Sequence, residues 1–71
     1  MKKTYKIEVD CANCAAKMER SVQKIEGVTA ASVNFFTQKM TVETDRDSLD
    51  EIMQEAIRVC RKVEPDCEIY L

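Results

Sequence analysis

Cys11 and Cys14 are the residues of this chain best suited to chemistry, because Asp10-Cys11-Ala12-Asn13-Cys14 sets two thiols one helical turn apart. The run before them, Thr4-Tyr5-Lys6-Ile7-Glu8-Val9, alternates polar and apolar residues as a half-buried strand does. The run after them, from Ala15 to Glu26, has helical spacing. The pair therefore falls at a strand-to-helix junction, beside the unpaired N–H groups of a first helical turn. Those groups and the helix dipole favour the thiolate, the form that binds a metal or attacks a disulfide. Both chemistries are open to a CxxC pair at a helix start.

Other residues narrow the choice. The chain has no histidine, which removes Cys/His zinc fingers, Cys–His nucleophiles and the usual general base together. A bound metal must then be held by sulfur and carboxylate oxygen. Asp10, next to Cys11, offers a charged third donor; read plainly, it is an acid favoured by the nearby helix dipole. Glu64, in the connection after the second helix, is a candidate fourth donor, although exposed loop acids are common. Cu(I) is satisfied by two or three soft sulfurs, whereas Zn(II) and Cd(II) take about four donors and accept carboxylate oxygen. A thiol–disulfide oxidoreductase would bring a longer thioredoxin-like sheet and a proline near the pair. The single proline here is Pro65, far along the chain.

The elements that must position these groups are legible from periodicity. Ala15, Met18, Val22 and Ile25 share one helical face, with Lys17, Arg20, Ser21 and Lys24 away from it. Gly27, the only glycine, stands where a left-handed residue after the helix is wanted. Val28 to Phe35 alternates, with Ala31, Val33 and Phe35 on one side, and Met40 and Val42 do the same after a turn near Phe36-Thr37. Asp47 and Ser48 offer N-caps for a second helix, with Ser48 and Glu51 spaced as a capping box. Its apolar stripe is Leu49, Ile52, Met53, Ala56, Ile57 and Cys60. Pro65 blocks continuation, and Cys67, Ile69 and Leu71 alternate as a last strand. The order β-α-β-β-α-β predicts a ferredoxin-like α+β sandwich: an antiparallel four-stranded sheet with two helices on one face. Its topology brings the Cys11–Cys14 loop, the Phe36-Thr37 hairpin and the Lys62 to Pro65 connection to one end. Met18 and Met40 fall on core faces, and Cys60 and Cys67 read first as packing, with a disulfide or a second soft pair as alternatives.

Composition bounds the rest. Seventy-one residues make one small domain, expected to run over 1–71 without repeat or linker. A net charge of −2 gives no reason to expect a nucleic-acid or anionic-membrane surface, although Lys17, Arg20 and Lys24 form a basic helix face that would steer an acidic partner. No apolar run approaches the ~20 residues that span a bilayer, and Met1-Lys2-Lys3 leads into a strand rather than a signal peptide. The four cysteines come with regular elements rather than the loops of a secreted scaffold, so a reducing cytoplasm is expected. No phosphate-cradling glycine loop and no nucleophile–base pair suggests an enzyme.

The stretch Lys6-Ile7-Glu8-Val9-Asp10-Cys11-Ala12-Asn13-Cys14-Ala15-Ala16-Lys17-Met18-Glu19 resembles the heavy-metal-associated domain family. So do Glu26-Gly27-Val28 and Ala31-Ser32-Val33-Asn34-Phe35, and the likeness extends over nearly the whole chain. These are the soluble domains of copper chaperones, mercury-binding proteins and heavy-metal P-type ATPases. The resemblance implies Cys11 and Cys14 as metal ligands and transfer to a partner of similar shape by stepwise thiolate exchange. Where the family usually carries Gly-Met and a variable residue, this chain has Glu8-Val9-Asp10. Asp before the first cysteine is similar to zinc-, cadmium- and lead-exporting pumps, whereas copper domains mostly carry Thr, Ser or His. The expected cargo is therefore Zn(II) or Cd(II)/Pb(II), with Cu(I) as the alternative. The expected setting is a monomeric domain serving a P-type ATPase, handing its ion to a homologous domain or to the pump's membrane domain.

Overall fold

Strand β1 (Lys2–Glu8) buries Tyr5 and Ile7 and exposes the residues between them, the one-sided alternation of a strand with a single face on a core. The computed structural model describes residues 1–45 and 49–71. After β1 come α1 (Ala12–Gln23), β2 (Val28–Asn34), β3 (Lys39–Thr44), α2 (Leu49–Val63) and β4 (Glu68–Tyr70). The strands form one antiparallel sheet in the order β2-β3-β1-β4, so β1 and β3 are central. With both helices on one face, this is the expected ferredoxin-like sandwich. Ala15, Met18 and Val22 of α1 and Leu49, Ile52, Met53, Ala56 and Cys60 of α2 enter a single core, as their three- and four-residue spacing requires.

Met18, Met40 and Cys60 are fully buried and Cys67 is 1% exposed, so both methionines and both late cysteines are packing residues; all four cysteines are free thiols. Helix α1 also covers the edge strand β2. Glu19 Oε1 accepts from the Val33 N–H at 2.9 Å, and Gln23 Nε2 donates to the Ala31 carbonyl at 2.9 Å. Backbone groups that would be bare on a sheet edge are thereby satisfied.

Several expectations are corrected. Helix α1 begins at Ala12 rather than Ala15, which places Cys14 inside the helix. It ends at Gln23, so Gly27 does not cap it. Gly27 (φ 95°) instead serves the turn closed by Val28 N–H to Ile25 carbonyl at 3.1 Å, where its position needs a positive φ. Phe35 lies beyond β2, in the turn that leads to β3. Leu71 is exposed and outside β4, because the sheet ends at Tyr70. Helix α2 runs on to Val63, so Lys62 belongs to its last turn. The predicted caps Asp47 and Ser48 lie outside the described residues.

Candidate metal centre

Strand β1 stops at Glu8 and α1 starts at Ala12, leaving Val9, Asp10 and Cys11 to bridge them. Cys11 is the N-cap, with the extended backbone (φ −136°, ψ 128°) usual for that position, and its carbonyl accepts the first helical bond from Ala15 N–H at 2.9 Å. Its sulfur makes no close capping hydrogen bond. The Cys11 thiol is held below the ordinary range, first by the Cys14 N–H, then by the Cys14 thiol and the Asn13 N–H; burial and the Glu64 charge oppose this.

Cys14 behaves oppositely. Its thiol is pushed up to about 11, first by its hydrogen bond with Cys11, then by that with Glu64. The helix start therefore does not favour both thiolates, as the sequence suggested. The thiolate is favoured at Cys11 and disfavoured at Cys14.

Glu64 is the carboxylate that the fold brings to the pair. Cys14 Sγ donates to Glu64 Oε2 at 3.3 Å, across 50 positions of sequence. Local structure holds the acid there. Glu64 N–H continues the α2 ladder to the Cys60 carbonyl at 2.9 Å, and Cys67 N–H closes a turn on the Glu64 carbonyl at 3.1 Å. Pro65 sits at the second position of that turn, where its fixed φ is favoured. Glu64 Oε1 accepts from Asp66 N–H at 3.3 Å, so both carboxylate oxygens are engaged. Asp10, by contrast, is exposed and enters no hydrogen bond or ion pair among the described residues. Nor do any three Cys, Asp or Glu side chains among these residues stand in the geometry of a preformed metal site. Lys62 lines the groove between α1 and α2 and is not among the charges that shift either thiol.

The hairpin reaches the same end of the sheet through Gln38, a residue that periodicity did not single out. Its Oε1 accepts from Val9 N–H at 2.8 Å, immediately before the thiol loop. Polar turn residues carry no pattern of their own, so only a tertiary contact reveals this role. Thus the three expected junctions do meet, with Glu64 and Gln38 as the points of contact.

The thiol asymmetry has a direct readout. Iodoacetamide is expected to alkylate Cys11 at a pH below the ordinary thiol range, because the thiolate is the nucleophile. Cys14 should lag until the pH nears its value of about 11. Cys60, buried and pushed up to about 12, should react only on unfolding. Mass spectrometry of partly labelled protein gives the order, and equal rates at Cys11 and Cys14 would refute it.

Fold and site together define a class: a small βαββαβ domain that presents a CxxC loop at one end of its sheet. Residues 4–62 match the family described as Heavy-metal-associated domain, and the chain belongs to that family. The "Probable cadmium-transporting ATPase" of Listeria monocytogenes is 41% identical over 70 residues, covering 97% of this chain and 10% of that protein. The chain thus spans about a tenth of that curated relative. Among solved structures, the Cu(I)-loaded N-terminal domain of a potential copper-translocating P-type ATPase from Bacillus subtilis matches with TM-score 0.74 and 30% identity, over 99% of this chain and 84% of that one. The apo N-terminal domain of a zinc(II) ATPase matches with TM-score 0.71 and 25% identity, over 99% and 63%. Among the described residues, no helix is long and apolar enough to cross a membrane.

Proposed function

We propose that this domain captures a divalent ion of the zinc, cadmium and lead class between Cys11 and Cys14 and passes it on. It would do so as the cytosolic domain of, or a soluble partner to, a heavy-metal-translocating P-type ATPase. The observation that carries this reading is the Cys14 Sγ to Glu64 Oε2 contact at 3.3 Å, which sets an oxygen donor beside the sulfur pair. A mixed sulfur–oxygen set suits borderline divalent ions, whereas Cu(I) has no need of the carboxylate. Asp10 joins as a third ligand by turning its exposed side chain toward Cys11.

Capture begins at Cys11, whose thiolate is already favoured. Cys14 follows by losing its proton, and Glu64 Oε2 is placed to relay that proton to water. Binding is therefore proton-releasing and strengthens with pH up to about 11, the value of Cys14. Transfer reverses these steps against the thiolates of a homologous domain or the pump's membrane domain, with Lys17 and Arg20 guiding an acidic partner. The domain itself is a binding module; the ATPase it serves would be the enzyme.

Competition titrations with Zn(II), Cd(II) and Cu(I) test the choice of ion. Asp10→Ala and Glu64→Ala are each expected to weaken Zn(II) and Cd(II) by about a hundredfold or more, one ligand's average share, and to leave Cu(I) nearly unchanged. Cu(I) held against strong chelators with no Zn(II) or Cd(II) uptake would sink this assignment. It would support instead a Cu(I) chaperone; the Cu(I)-loaded ATPase domain that is 30% identical favours that ion. A low Cys11 beside a high Cys14 is also the pattern of a dithiol oxidoreductase. Efficient turnover of a disulfide substrate by metal-free protein would move the pair to redox chemistry.

A further inference from the structure

Gln38 occupies a conformation that its residue type disfavours. Its φ is 55°, in the left-handed region usually given to glycine or asparagine, and it is the single non-glycine residue with positive φ among the described residues. From that position it makes three hydrogen bonds. Its carbonyl accepts from Ile7 N–H at 2.9 Å, its Oε1 from Val9 N–H at 2.8 Å, and its Nε2 donates to the Phe35 carbonyl at 2.6 Å.

Regular pairing between β1 and β3 ends at Lys6 opposite Lys39. Ile7 and Val9 come later in the chain, with N–H groups directed to the β3 side. Gln38 serves the first through its backbone and the second through its side chain, so the ladder is carried past the end of β3. Val9 is a buried residue, and its N–H without a partner would bear the desolvation cost of an unmade bond. Glycine would fit the backbone at no steric cost and leave Val9 N–H bare. Asparagine suits the same φ but is one methylene shorter. The glutamine amide is also tied at both ends, to Val9 and to Phe35, which fixes its rotamer.

We propose that Gln38 is a positioning residue for the metal loop: its side-chain amide holds Val9, so that Asp10 and Cys11 leave the sheet from a fixed point. The inference rests on the metal-binding reading above and adds to it a residue that touches neither thiol. Backbone strain kept at one residue is a common accompaniment of a site whose geometry must be held.

Gln38→Gly and Gln38→Glu separate positioning from general stabilisation. Three measurements serve: denaturant unfolding of metal-free protein, hydrogen exchange at the Val9 amide, and Cd(II) competition against a chromophoric chelator. Gln38→Gly loses the side-chain bonds and adds freedom to the unfolded chain but relieves the backbone, so its unfolding midpoint is expected to fall only modestly, leaving the protein folded without denaturant. Its Val9 amide should exchange about tenfold faster or more, and its Cd(II) affinity should fall about tenfold, as when an outer residue that orients a ligand is lost. Gln38→Glu keeps an acceptor for Val9 N–H but gives up the donor to the Phe35 carbonyl, so it should retain more Val9 protection and lose less Cd(II) affinity than Gln38→Gly. Unchanged Cd(II) affinity in Gln38→Gly, or an equal loss in both variants, overturns the proposal. Should wild type itself take up no Cd(II), the metal reading fails. Exchange at Val9 then decides the positioning role alone, and an unchanged rate in Gln38→Gly overturns it.

Discussion

Replacing Cys11 with serine is expected to weaken Zn(II) and Cd(II) binding by about 10²–10³-fold. Structural zinc sites bind with apparent free energies of ~10–16 kcal/mol shared among four ligands, or about 2.5–4 kcal/mol each, and every 1.4 kcal/mol is tenfold. A site with fewer protein donors has less to fall back on. Cys11 also matters beyond its count as a ligand, because it is the sulfur whose thiolate is favoured. A second consequence separates this variant from a general loss of fold. The largest influence raising Cys14 is its hydrogen bond with Cys11, so without that partner Cys14 should titrate below its present value of about 11. Glu64 remains hydrogen-bonded to it and keeps it raised. Thiolate absorbance across a pH titration reads the shift, and chelator competition reads the affinity. Near-wild-type affinity in Cys11→Ser would remove the pair from the centre of the function.

Truncating Ile7 to alanine should have the largest effect on stability. Ile7 is 0% exposed on central strand β1, opposite Ile69 of β4 and two residues before Val9. Buried Ile→Ala changes cost about 2–5 kcal/mol, through lost transfer energy and the cavity left behind. A domain of this length has about 4–11 kcal/mol to lose, at ~0.05–0.15 kcal/mol per residue. The metal-free variant should therefore unfold at far lower denaturant. Because the ion binds only the folded loop, Cd(II) at a hundred times its Kd should restore about 2.7 kcal/mol. That rescue should disappear when Cys14→Ser is added. A loss below about 1 kcal/mol in Ile7→Ala would mean that the core closes around the deletion, against the expectation for a packed interior.

The parts of the fold that were readable in advance share one property: they depend on neighbours a few positions apart. Met18 and Val22, or Ile52 and Ala56, fall on one helical face by spacing alone, and Tyr5 and Ile7 on one strand face. The errors lie where local signals compete. Cys11 and Ala12 carry no helical periodicity, so spacing alone starts α1 at Ala15, later than the helix itself does. Gly27 marks a positive φ, but two different turns could use it, and the chain stops the helix four residues earlier. At the site, Asp10 and Glu64 show the same contrast. Adjacency to Cys11 drew attention to Asp10, while the contact that exists joins Cys14 to Glu64 across the domain.

Residue types and their spacing were sufficient for a βαββαβ chain with two thiols at a helix start and no imidazole to assist them, because strand and helix periods and donor chemistry are local properties. Which thiolate is favoured, which acid stands beside the pair, and how Gln38 anchors the loop are long-range matters. They arise only when the turn after α2 meets the first turn of α1 and the β2–β3 hairpin meets the end of β1. Hydrogen bonds and charges act over a few ångströms in space, without regard to the distance along the chain.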